Sequence, residues 1–303
     1  MTANKMHRGK SAMPHPWIDR ALFWIFSRLG IFQTVFMFMW LAERMQHNRE
    51  PPFSPWLIYT YATIGLLGST GLSAKFLSRV SFYAMSAVHL HFIYLFVFEP
   101  KLNYSDWLRI RVALRCLSAS AVYLRVGSCP LYQKLNVHSF PFAISLVLQS
   151  IHNLLAAFCS LPYTWISIDR DIQLVEQESL WQMLHLLNPV FGVLIFALLL
   201  VGGCLYTFPV LIGNELATSK ANFVCRLINI GDCLTTFSFI VISLCRDCNM
   251  NFWMRNGCEF WLQAIMLLNS FIVVAGIRIT PGGTTYAKMH GMPIENERKS
   301  HSQ

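Results

Sequence analysis

The sequence predicts an all-α, polytopic membrane protein with about eight transmembrane helices, on three observations. The chain is 54% hydrophobic and only 13% charged, with a mean hydropathy of +0.44, whereas a soluble domain carries about 25% charged residues. Apolar runs close to the ~20 residues needed to cross a bilayer recur along the chain. The polar connections between them are too short to fold a catalytic domain of their own.

Residues 1–20 form a polar, basic tail that meets the membrane interface at Trp17. The first apolar run, Ala21 to Ala42, exceeds the 7–15 residues of a signal-peptide core, and no small-x-small cleavage site follows. It reads as an uncleaved helix over 21–42, with Arg28 inside it, closed by Pro51 and Pro52. Helix 2, over 55–74, carries Gly65, Gly68 and Gly71, spacing that lets two backbones approach closely. Helix 3, over 80–98, holds His89 and His91, which point to nearly opposite faces and so cannot chelate one metal together. A haem axial pair would need a histidine from another helix, such as His152.

Helix 4, over 107–126, opens with Asp106, Trp107, Arg109 and Arg111. Arg115 shares a face with Arg111 and lies about 12 Å along the axis from Trp107. At that depth it must snorkel, line water or pair with an acid. Helix 5, over 139–161, carries Gln149, His152 and Asn153, and is followed by an acidic loop over 162–180 that matches no calcium-loop pattern. Helix 6, over 181–206, is kinked at Asn188-Pro189. Helix 7, over 223–245, contains Asp232, and helix 8, over 259–279, starts at Glu259-Phe260-Trp261. The division is therefore a tail over 1–20, a transmembrane domain over 21–280, and a disordered tail over 281–303.

Eight spans put both termini on one side. That side carries fourteen lysines and arginines in its loops and tails against eight on the other, which places both ends in the cytoplasm of an endomembrane or plasma-membrane protein. The sequon Asn103-Tyr104-Ser105 then falls on the outer side as a glycosylation candidate. The net charge of +9 is scattered along the chain. Without a block able to neutralise many phosphates it points to anionic lipid rather than nucleic acid.

Few groups offer chemistry. Cys245, Cys248 and Cys258 cluster in the seventh loop, where a disulfide among them and unpaired thiols both remain open. Asp232 is the only acid deep in a predicted span; it either marks a proton or ion path or pairs with Arg115 or Arg28. No nucleotide loop, zinc-protease helix or GxSxG elbow occurs, so neither a cofactor nor an enzymatic activity is expected.

Asp106-Trp107-Leu108-Arg109-Ile110-Arg111, with Arg115 four further on, resembles the segment before the fourth span of the transmembrane protein 101 family. Ala42-Glu43-Arg44 with Arg49 and Pro51, and Glu259-Phe260-Trp261 with Gln263, agree in position. The resemblance implies an eight-span protein loosely linked to activation of NF-kappa-B signalling. It carries Asp106, Trp107, Arg111, Arg115, Glu259 and Trp261 as structural or interface positions. The longer tails, the 207–222 connector, the three clustered cysteines and Asp232 depart from it. Function is thus expected to be a non-enzymatic membrane protein working through helix packing and protein partners. A small transporter or channel with a path through Arg115 and Asp232 is the alternative, and an intramembrane enzyme or haem carrier comes third.

Overall fold

The computed structural model describes residues 16–46, 51, 54–70, 75–99, 102, 104, 106–128, 140–159, 197, 200–201, 222–227, 229–230, 233, 237 and 260–279. Among these there is no strand, and six continuous helices: α1 Pro16–Gln46, α2 Pro55–Thr70, α3 Lys75–Phe98, α4 Asp106–Ser128, α5 Phe140–Cys159 and α6 Phe260–Ile279. They coincide with predicted helices 1 to 5 and 8. Predicted helices 6 and 7 lie largely outside the described residues, though 222–227 and 229–230 are helical.

The boundaries differ where hydropathy is a poor guide to hydrogen bonding. Helix α1 begins at Pro16, ahead of its apolar run, because proline at a first helical position lacks only an N–H that would be unpaired anyway. It continues past Ala42 to Gln46, and its 31 residues reach about 46 Å at 1.5 Å per residue. Its last turn therefore projects beyond a hydrocarbon layer of ~30 Å. Helix α3 likewise starts at Lys75, a turn before its apolar run.

Among the described residues, three helices contain stretches long and apolar enough to cross a membrane: Arg79–Phe98, Phe140–Ala157 and Phe260–Ile277. Helix α4 does not read as one, since Arg109, Arg111, Arg115 and Arg125 interrupt it. It is instead the helix the others surround, packing on α3, α5 and α6. Leu108, Val112, Ala119, Ala121, Val122 and Tyr123 are all buried. One half of the core gathers Phe26, Phe82, Tyr123 and Ile272, and the other Trp40, Phe96, Leu108 and Met266.

Two glycines permit the closest helix approaches. A Cβ on Gly65 of α2 would fall on Thr34 Oγ1 of α1, and one on Gly276 of α6 would fall on Val122 Cγ1 of α4. Gly65 thus performs the packing role its spacing predicts.

Polar side chains lie within the apolar core, and large apolar ones lie on the surface. Gln33, His89, Gln149, Asn153, Gln263 and Asn269 are buried, whereas Phe32, Phe38, Leu67, Tyr94, Leu155 and Phe271 are exposed. Burying amides and exposing aromatics is favourable only where the surroundings are apolar.

Candidate functional site

One end of the bundle is held by side chains that satisfy helix termini. The first backbone N–H groups of a helix have no partner inside it. At α6 the Phe260 and Trp261 N–H groups donate to Glu43 Oε1 and Oε2, at 3.0 and 3.1 Å. A carboxylate is favoured there by the helix dipole. At the opposite kind of terminus, Arg109 of α4 donates from Nε and one terminal nitrogen to the Phe96 and Val97 carbonyls that end α3, both at 2.7 Å. Beside them Arg44, only 2% exposed, donates to Tyr104 Oη at 2.6 Å. Trp40 Nε1 donates to the same oxygen at 3.0 Å. The guanidinium lies 5.1 Å from the Tyr104 ring and 5.8 Å from that of Trp40; Phe96 stacks on both rings. Such an aromatic setting attracts the cation through the ring quadrupoles.

Midway along the bundle, four helices share one hydrogen-bond network. His89 of α3 bonds the Met85 carbonyl through Nδ1 at 2.7 Å. A carbonyl only accepts, so Nδ1 carries the proton and Nε2 is an acceptor. Gln33 of α1 donates from Nε2 to His89 Nε2 and to Asn269 Oδ1 of α6, each at 2.8 Å. Tyr123 of α4 donates to Gln33 Oε1 at 2.9 Å. Asn269 Nδ2 is left with the soft acceptor Cys116 Sγ at 3.7 Å. Each of these bonds pairs one donor with one acceptor, and the Gln33 amide stands between two acceptors, His89 Nε2 and Asn269 Oδ1, that lie 3.4 Å apart. A cavity of about 40 Å³ adjoins the network, whose Gln33, His89 and Asn269 line it together with apolar residues such as Met37, Phe92 and Ile265. It is far below the ~300 Å³ of a typical organic-ligand pocket.

A second polar seam runs between α4 and α5. Ser118 donates to Gln149 Oε1 at 3.3 Å and accepts from its Nε2 at 3.1 Å. His152 Nδ1 lies 3.0 Å from Asn153 Oδ1. Arg125 reaches Asn222 Oδ1 at 2.8 Å and sits 6.0 Å from the Phe142 ring. From the Arg125–Phe142 contact to the Ser118–Gln149 contact, seven residues along α4 match seven along α5 in the opposite direction. That antiparallel register puts Arg115 level with His152. Arg115 is 7% exposed, so at its depth it is surrounded by protein and does not snorkel through lipid.

The candidates read from sequence fare unevenly. Arg111 is half-buried and Arg115 buried on the same stripe of α4. Trp261 packs on Phe36, ring centroids 5.5 Å apart. Asp106 and Trp107 open α4, and Arg28 is half-buried in α1. Asn103, Asp232, Cys245, Cys248, Cys258 and Glu259 lie outside the described residues, and with them the Arg115–Asp232 pairing. His91 Nδ1 is bonded to the Tyr61 hydroxyl, and both ring nitrogens of His89 are engaged in hydrogen bonds. Sequence reasoning missed Gln33, Tyr123 and Asn269; a lone amide or phenol in an apolar run was the only signal. Glu43, Arg44 and Trp261, which come from distant stretches of the sequence, meet at one bundle end. No protein-family model, curated protein or solved structure matches the chain.

Proposed function

We propose that the chain is a non-enzymatic, multi-pass membrane protein of eight spans, both termini cytoplasmic, acting through its packed bundle and protein partners. The observation that carries this reading is the placement of polarity: apolar side chains outside, and mutually hydrogen-bonded amides and an imidazole inside the apolar core. Such networks join helices where the surrounding solvent supplies no hydrogen bonds. The resemblance to the transmembrane protein 101 family rests on three stretches, and two of them meet: the Glu43 carboxylate accepts from the Phe260 and Trp261 backbone N–H groups. On that resemblance the protein's output is activation of NF-kappa-B signalling through partner contacts. The test is expression of the chain with a reporter of that pathway. Activation lost with Glu43→Ala at unchanged membrane abundance is the expected result; a reporter silent at high abundance removes the signalling reading.

A second reading, a small transporter or channel, is favoured by Arg115, buried level with His152 and Asn153. Purified protein in liposomes should then pass an ion or solute, and Asp232→Asn or Arg115→Gln should abolish that flux. Tight liposomes across halides, protons and small organic ions would remove this reading.

A further inference from the structure

Sulfur and nitrogen donors from three helices line a single cavity. The space of about 40 Å³ beside the central network is bordered by Met37 of α1, Met85 and His89 of α3, Cys116 of α4 and Asn269 of α6, among aliphatic and aromatic side chains. None of the five is more than 6% exposed. Sequence spacing accounts for the gathering. Met85 precedes His89 by four residues and Met37 follows Gln33 by four, so each thioether shares a helix face with a network residue one turn away.

The imidazole is already oriented as a ligand. Its Nδ1–H is donated to the Met85 carbonyl at 2.7 Å, which leaves the lone pair on Nε2, and metal-binding histidines fix their tautomer by this kind of bond. That lone pair accepts from Gln33 Nε2, a neutral donor that an ion would displace. Asn269 stands between the imidazole and the thiol, with Oδ1 3.4 Å from His89 Nε2 and Nδ2 3.7 Å from Cys116 Sγ. The two methionines, with three rotatable bonds each, can bring sulfur to an ion anywhere in so small a space.

The donor types select the ion. Among the described residues no three histidine, cysteine, aspartate or glutamate side chains gather, so a hard divalent ion finds no cage there. Thiolate and thioether are the soft ligands that select Cu(I), and imidazole suits copper as well. Charge argues the same way. Cu(I) on the Cys116 thiolate, its proton released to solvent, is neutral, whereas a divalent ion would leave a net positive charge in the apolar core. Water needs ~10–15 Å³ of such space and two to four polar partners, and this lining is mostly apolar.

We propose that the cavity binds a single Cu(I) ion, held by Cys116 and His89 with the Met37 and Met85 thioethers completing its coordination. The inference rests on the packing of α1, α3, α4 and α6 and is independent of the signalling reading.

Copper binding to the purified full chain in detergent, without oxygen and against the chelator bicinchoninate, tests it. Cys245, Cys248 and Cys258 are changed to serine to remove the other clustered thiols. One Cu(I) per chain should be retained, with sulfur and nitrogen in its X-ray absorption spectrum. Cys116→Ser should weaken binding by more than about 100-fold, beyond what loss of an outer supporting group costs. Met37→Leu with Met85→Leu, which conserves volume, should weaken it by at least about 10-fold. Melting curves without metal identify a variant that fails to fold, and the methionine pair carries the test if Cys116→Ser does. No Cu(I) retained against the chelator, or retention unchanged in these variants, overturns the site. Zn(II) bound as tightly as Cu(I) overturns the choice of ion.

Discussion

Gln33 is the side chain on which the central network depends, because it bonds to three other helices. Tyr123→Phe removes one bond and should cost under about 1 kcal/mol, the usual worth of an interhelical bond in a membrane protein. Gln33→Leu leaves His89 Nε2, Asn269 Oδ1 and the Tyr123 hydroxyl without this partner together. At about 1–3 kcal/mol per buried group left unsatisfied, it should be several times more damaging. Thermal unfolding in detergent decides between them, and equal losses would contradict the hub role of Gln33. A single sequence could not reveal this hub. Glutamine in an apolar run has no period of its own, and its partners lie 56, 90 and 236 residues away. Arg115 was legible because a charge at that depth is costly wherever it points. Its direction was not, since that depends on which helices cover α4.

Among the elements, the tie between α1 and α6 and the approach of α1 to α2 make separate predictions. Glu43→Ala leaves the Phe260 and Trp261 N–H groups without their acceptor. It should destabilise by about 1 kcal/mol, as loss of a helix cap does, with Glu43→Gln intermediate. The readout is the melting temperature, and amide exchange confined to the start of α6 would locate the effect. Gly65→Ala drives a methyl group onto Thr34 Oγ1, so yield of monodisperse protein should fall. Thr34→Ala in the same chain should restore part of it; no restoration would mean that another contact sets the distance. Element existence was readable from apolar runs, and α2, α3, α5 and α6 lie within a few residues of prediction. The extension of α1 at both ends was hidden, because Pro16 and the polar turn to Gln46 continue a helix that hydropathy ends early.

For the whole molecule, membrane residence is the prediction most open to a direct check. The chain should resist alkaline extraction, and tags at its two ends should be protected on the same face of sealed vesicles. Tags on opposite faces would require an odd number of spans and would remove the charge-bias argument. The class was legible from scarce charge alone. The arrangement was not, because hydropathy ranks helices by their own composition, whereas burial ranks them by what surrounds them. By the first measure α4 is the least membrane-like of the six helices, yet it is the one most enclosed.

That mismatch bears on how the protein is made. An isolated segment with an arginine near its middle faces a penalty of about 2.5–3.5 kcal/mol for entering lipid, and α4 carries four arginines along its length. During synthesis it emerges before α5 and α6 exist to shield it, so its insertion must wait for, or be retained beside, later segments. A ribosome-bound chain stopped after Ser128 should leave α4 outside the bilayer or held at the translocon, while one extended past Ile279 should bring it in.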